Sequence, residues 1–359
     1  MPNRDYSLDL FRGLTILLMV IVNVQGSPDH VYPLLDHAEW NGLTFADLVF
    51  PWFLFIAGLS APLALDRAHA HSPWPTIIKR AAILFGIGML LSWLIHPTLD
   101  PAVVRWTGVL QRIAFVYVAC AAVILWWPGY RMAAILCGAI LIVHSLLLLY
   151  VPAPGEAAPS LIAGEGLSGW LDRLLVPGRI LRKTWDPEGV LSTLPSIASG
   201  LIGVAIMRWV RMQTKPVEPT LLALAVILTV AGLGLNVVLP INKSLWTASF
   251  VLLTAGLGLG LWMGLRLLWP TIVANRIILW IVSLGQAALT LYVVHTVLLA
   301  IIVRKLPDGE KLWKHLFDGL VGLTGLPLSA ASLLFAIVAT GISAAFIPPL
   351  KKRGWLIKA

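Results

Sequence analysis

Apolar residues fall along this chain in long blocks. They show neither the short alternation of half-buried strands nor the one-sided stripe of a soluble helix. Ten blocks approach the roughly 20 residues a helix needs to cross a bilayer. They cover about 8–24, 44–65, 77–96, 109–127, 132–151, 190–209, 220–239, 245–268, 277–303 and 326–347. Between them stand turn signals such as Ser27-Pro28, His96-Pro97, Pro128-Gly129, Lys215-Pro216 and Pro307-Asp308-Gly309. The one long connection, Pro152 to Gly189, holds a candidate amphipathic helix at Gly169–Leu175. Loops of that length are more often functional than idle. No internal repeat or second domain is visible. The pattern predicts an all-α polytopic membrane bundle of about ten helices, one transmembrane domain over 1–359, with the longer extracytoplasmic loop at about 152–189.

Composition strengthens this reading. Of 359 residues, 58% are hydrophobic and 12% charged, against about 25% charged in soluble domains. The first block lacks a small-residue cleavage site and carries Asp9 and Arg12, so it reads as a retained helix. Threading the ten spans from an inside N-terminus puts fourteen of the 26 Lys and Arg on the inner side, opposed by only Asp5, Asp66 and Glu218. The outer segments hold ten Lys and Arg against twelve Asp and Glu. A basic excess marks the cytoplasmic side, so both termini are expected inside. That inner surface suits anionic lipids or an anionic cosubstrate. Nucleic acid is not an expected partner, because the basic residues are scattered among spans. Cys120 and Cys137 lie inside apolar runs and read as packing residues. No metal site is expected.

Ionisable residues inside spans are costly and mark function by default. Here they are Asp9, Arg12, Asp47 and Arg112. Asp9 and Arg12, three apart, share a helix face. They form either a structural ion pair or a site that presents arginine to a phosphate-bearing ligand. His37 lies in the connection before the second span. Histidine exchanges protons near neutral pH, and Asp47, in the first helical turn, is placed to orient it. A loop His followed by an Asp is equally what a solvated pair looks like, and His30, His69 and His71 read as solvated. Further polar clusters fall at outer helix ends: Trp40-Asn41, Asp186-Pro187-Glu188-Gly189, Asn242-Lys243 with Trp246, and Tyr292 with His295. Hydrogen-bonding groups beside aromatic rings suit a sugar. On pattern alone the chain is a transporter or a membrane enzyme with a polar outer site.

Several of these stretches together resemble the heparan-alpha-glucosaminide N-acetyltransferase family, in its bacterial, NagX-like branch. They are Ser7–Gly13, Met19–Asn23, His37–Gly58 (HAEWNGLTFADLVFPWFLFIAG), Gly108–Ile113, Asp186–Gly189 (DPEG), Pro240–Trp246 (PINKSLW) and Tyr292–His295. The tail after Lys305 carries no part of the likeness. The resemblance implies transfer of acetyl from cytoplasmic acetyl-CoA to a glucosamine amine on the far side. His37 would be base or acetyl carrier, and Asp47 its partner. The expected acetyl-CoA contacts are Arg12, Asn23, Gln111 and Arg112. The expected acceptor contacts are Trp40, Asn41, Asp186, Glu188, Asn242, Lys243, Trp246, Tyr292 and His295. Lysosomal members carry an extra luminal N-terminal domain, whereas this chain begins almost at its first span. The expected acceptor is therefore a small amino sugar or cell-wall fragment, and the expected location a bacterial inner membrane. A sugar permease and a polysaccharide O-acyltransferase are the rival readings, and a homo-oligomer is compatible with the pattern.

Overall fold

The computed structural model describes residues 5–65, 73–98 and 100–357. His69 and His71, with the charges Arg4, Asp66, Arg67 and Lys358, lie outside the described residues. Within them the chain is all-helical: α1 (Tyr6–Asn23), α2 (Phe45–Leu65), α3 (Trp74–Ile95), α4 (Val109–Trp126), α5 (Arg131–Tyr150), α6 (Gly166–Leu175), α7 (Val190–Arg211), α8 (Glu218–Leu235), α9 (Ala248–Ile272), α10 (Arg276–Gln286), α11 (Ala288–Ile302), α12 (Leu312–Thr324), α13 (Leu328–Ala345) and α14 (Ile347–Lys352). Nine of these helices, with α14 continuing α13, are long and apolar enough to cross a membrane. We call the face at which α1 begins proximal and the other distal.

The expected ninth span, 277–303, is the main correction. It is two helices, α10 and α11, bent by 83° at Ala287, and it makes a tenth crossing only if the broken pair is counted as one. Both halves are apolar, so periodicity alone sees no break. The bend is set by packing: an added Cβ at Gly285 would lie 2.0 Å from the Asp9 carbonyl oxygen, and the Gln286 amide donates to Asp9 Oδ2 at 3.3 Å. The loop helix α6 starts three residues earlier than expected, and α12 was not expected at all.

Helices α2, α7 and α9 are buried over most of their surface, while α3, α5 and α8 are mostly open to the surroundings. Without water between helices, close packing of small residues replaces the hydrophobic drive. At the α2–α7 crossing even a methyl on Gly58 would fall 1.9 Å from the Gly200 carbonyl oxygen. On the proximal face Arg266 pairs with both Asp5 and Glu218, which ties α9 to the starts of α1 and α8. This rigid centre carries the α2 start and the α8–α9 connection, which meet at the distal face.

Candidate active site

The start of α2 fixes the central carboxylate. Asp47 lies three residues after Thr44, and its Oδ2 accepts the Thr44 N–H (3.2 Å), the Thr44 hydroxyl (3.1 Å) and the Ala38 N–H (3.1 Å). A carboxylate reaching back to the residue before the helix is half of a capping box. Its Oδ1 faces His37 Nδ1 at 2.8 Å and Lys243 Nζ at 3.2 Å. The Asp47 side chain is 2% exposed and that of His37 50%. A 2.8 Å contact between Nδ1 and a carboxylate oxygen requires a proton on Nδ1, so Nε2 is the free, basic nitrogen.

The loop carrying His37 is stitched to its neighbours. The Gly42 N–H donates to the Ile241 carbonyl at 2.8 Å, and Gly42 has φ +122°, a backbone shape that favours glycine. Asn242 Nδ2 donates to the Trp40 carbonyl (2.9 Å) and to Asn41 Oδ1 (3.0 Å). Trp40 Nε1 donates to the Leu161 carbonyl at 2.8 Å, and its ring meets Trp185 edge-on. Trp40, Asn41 and Asn242 therefore spend hydrogen-bonding groups on holding three loops together.

One cavity borders His37, and a second lies further along α1. The distal one, of about 890 Å³, is lined by Asn23, Asp36, His37, Lys305, Lys311 and Trp313, among others. The second, of about 430 Å³, has Arg12, Ser60, Arg80 and Gln286 towards the proximal face and Phe53 and Tyr292 further in. Residues 12, 16, 19 and 23 fall on one stripe of α1. Arg12, Ile16 and Met19 line the second cavity and Asn23 the distal one, so the two stack along one helix face. Met19 and Asn23 are about 6 Å apart along the axis. Arg12 pairs with Asp9 (2.9 Å) and donates to Ser60 Oγ (2.7 Å); the Arg80 guanidinium lies over the Tyr117 ring.

A third polar group lies beneath the distal loops. Asp186 is fully buried and accepts from Arg105 (2.8 Å), Thr107 (2.9 Å) and the N–H groups of Leu181 and Glu188. Arg105 also pairs with Glu188. Burial alone would raise the Asp186 carboxyl, but the Arg105 guanidinium and the two N–H groups hold it below the ordinary carboxylate range. Asp172 on α6 is pushed up by its burial although it accepts the Asp186 and Val190 N–H groups, which caps the start of α7. Burial likewise lowers Lys243 against the pull of Asp47 and Glu188.

The family model described as "Heparan-alpha-glucosaminide N-acetyltransferase, catalytic" matches residues 4–234. This chain belongs to that family. It is 31% identical to the human heparan-alpha-glucosaminide N-acetyltransferase (Homo sapiens) in an alignment covering 70% of this chain and 46% of that protein. To the mouse enzyme of the same name (Mus musculus) it is 29% identical over 93% of this chain and 60% of the relative. The chain thus spans roughly half the length of these curated relatives.

The region matched by the family model contains His37, Asp47, Arg105, Arg112, Asp186 and Glu188, but ends before the α8–α9 connection that supplies Lys243. The structure gathers His37, Asp47 and Lys243 into direct contact, with Arg12 and Asn23 on the two cavities. Gln111 and Arg112 line neither cavity. Gln111 packs on Gly88 and Gly108. Arg112, 2% exposed, donates to the Gly189 carbonyl and to Ser192, with its guanidinium over the rings of Phe50 and Trp246. Trp246 is buried and donates to Ser199. Tyr292 lines the proximal-facing cavity. His295 is buried beside the Tyr292 ring and touches none of the three central residues. Sequence reasoning missed Arg105, Asp172, Arg80 and the Lys305–Asp318 wall. A lone arginine between Pro101 and Gly108 was the available signal for the first.

Proposed function

We propose that this protein is a membrane acetyltransferase that moves an acetyl group from acetyl-CoA to the amine of a glucosamine-type sugar. The observation that carries the reading is the free Nε2 of His37, anchored on Asp47 at the distal cavity, with an arginine-bearing cavity stacked behind it along α1. The CoA phosphates would sit at Arg12 and Arg80, since arginine suits phosphate, and the pantetheine arm would run up the cavity. The proximal face is then cytoplasmic, both termini lie inside, and the one domain sits in a bacterial inner membrane. The acceptor ammonium gives up two protons in the reaction. His37 takes one as the amine attacks the thioester carbon, and the C–S bond breaks. That proton passes to the leaving thiolate, and the other is released. Nε2 serves equally as base or as covalent acetyl carrier. Incubation with acetyl-CoA and no acceptor separates the two, because only a carrier accumulates acetylated His37.

The direct test is release of free CoA thiol by purified protein given acetyl-CoA and glucosamine or short amino-sugar oligomers. A permease releases none, and an O-acyltransferase responds to hydroxyl but not amine acceptors. Arg12→Ala should raise KM for acetyl-CoA about tenfold, the worth of one lost charge-assisted contact, and leave the acceptor KM unchanged. Unaltered acetyl-CoA KM in folded Arg12→Ala protein would remove the arginine from the cosubstrate site. For sidedness, reporter fusions at Lys215 should read cytoplasmic and those near Glu165 external, and a cytoplasmic reading at Glu165 would overturn the topology.

A further inference from the structure

We propose that Lys243 is a positioning residue for His37: it shares Asp47 Oδ1 with the imidazole and keeps the ring neutral, oriented and aimed at the distal cavity. The inference rests on the acyl-transfer reading and assigns Lys243 a place that neither the acetyl donor nor the acceptor needs to touch.

The geometry decides between two jobs for this ammonium. A donor to the developing oxyanion would stand on the Nε2 side of the ring, where the reacting carbon arrives. Lys243 Nζ stands on the other side, 3.2 Å from Nδ1 and 3.2 Å from Asp47 Oδ1. With Nδ1 2.8 Å from the same oxygen, the three atoms form a closed triangle. Two donors thus converge on Oδ1 while three others occupy Oδ2. Both consequences favour a neutral imidazole. The ammonium repels an added proton on the ring directly, and by neutralising Asp47 it weakens the carboxylate's preference for imidazolium.

The backbone is built to deliver this lysine. Trp246 has φ +54°, uncommon for a bulky residue, and its N–H closes the turn on the Lys243 carbonyl at 3.2 Å. Such a conformation persists only where the surroundings over-determine it. Here the indole is fully buried, bonded to Ser199, edge-on to Phe50 and beneath the Arg112 guanidinium. Asn242, next to Lys243, is clamped to Trp40 and Asn41 in the loop that holds His37. The turn and the histidine loop are therefore one rigid unit.

The charged groups around the pair are these. His37 faces Asp47, Lys243 and Asp36, whose Oδ1 accepts the His37 N–H. Lys243 also feels Glu188 and Arg112. Across the distal cavity stand Asp29, His30, Lys305, Glu310, Lys311, Lys314 and Asp318. Of all these, only Asp47 and Lys243 reach the imidazole ring.

The test compares wild type, Lys243→Met, Lys243→Arg and His37→Ala as purified full-length protein with acetyl-CoA and glucosamine. In parallel, the pH dependence of His37 carbethoxylation by diethylpyrocarbonate is followed by mass spectrometry. That reagent attacks neutral imidazole, so this readout needs no acceptor and no turnover. Lys243→Met should lower kcat about tenfold or more with both KM values within about twofold. Its rate profile and its labelling profile should both move about half a unit or more to higher pH. Lys243→Arg, which keeps the cation, should recover most of kcat and the wild-type profiles. Unmoved profiles in Lys243→Met overturn the proposal, whatever happens to kcat. So does an acceptor KM that rises while the profiles stay, which makes Lys243 a substrate contact. If Lys243→Met does not purify as a folded protein, Lys243→Gln is measured against the same criteria. Full turnover in His37→Ala instead sinks the acyl-transfer assignment of His37, and the labelling profile still decides the place of Lys243.

Discussion

His37→Ala is expected to fold, to bind acetyl-CoA with wild-type affinity and to lose at least about 100-fold in turnover. Folding survives because the side chain is half exposed and its buried partner Asp47 keeps the donors of Ala38, Thr44 and Lys243 when the imidazole is removed. Acetyl-CoA binding survives because His37 does not line the cavity that holds Arg12 and Arg80. Turnover falls because the free Nε2 is the basic atom on the distal cavity that a buried carboxylate holds in one tautomer. Loss of a general base costs about 10²–10⁴-fold, and loss of a covalent carrier more. Steady-state kinetics and isothermal calorimetry on the same preparation read both quantities. Near-normal turnover in folded His37→Ala protein would refute the assignment.

Arg105→Ala is expected to be the most destabilising single change at the distal face. It strips the partner from fully buried Asp186 and from Glu188 together. Breaking a buried pair from one side costs about 3–5 kcal/mol, because the remaining charge stays buried without compensation. The fluorescence-monitored melting temperature in detergent should drop accordingly, and Arg105→Lys should recover part of it. The pH dependence gives a second reading. Asp186 binds its proton less tightly in the folded protein than in the unfolded chain. Its contribution to stability is therefore present above the ordinary carboxylate range and is lost as pH falls through the depressed value. Wild-type protein should lose melting temperature on acidification, and Arg105→Ala, lacking the group that depresses the carboxyl, should lose less. Equal melting curves for the two proteins would show that the Arg105 cluster carries no stability.

The local parts of this site were legible in the sequence. An Asn-Gly turn followed by Thr44-x-x-Asp47 at the start of an apolar run encodes both the loop reversal and the helix cap, so the meeting of His37 with Asp47 needed only ten residues of chain. Asp9 with Arg12 was readable from helical spacing for the same reason. Lys243 was visible as a polar residue at an outer helix end, but its contact with His37 spans 206 positions and follows from the packing of α9 against α2. Arg105 looked like one more external charge, because its partners lie 81 and 83 positions away. The break at Ala287 left no trace in hydropathy, since α10 and α11 are both apolar. The Lys305–Asp318 wall had no periodic pattern to announce it. Packing decided what periodicity could not.

The stacking of the two cavities along one stripe of α1 has an electrical consequence. Carrying a charge through a membrane under a potential costs or releases about 2.3 kcal/mol for each charge and each 100 mV. A cofactor rich in phosphate would face that term several times over. With the phosphates moored at Arg12 and Arg80 as proposed, an acyl group would pass Met19 and Asn23 in exchange for the proton that returns to the thiolate, a swap that carries no net charge. The proposed transfer step is consequently indifferent to the voltage across the bilayer, and no ion gradient has to be spent to bring the acetyl group out.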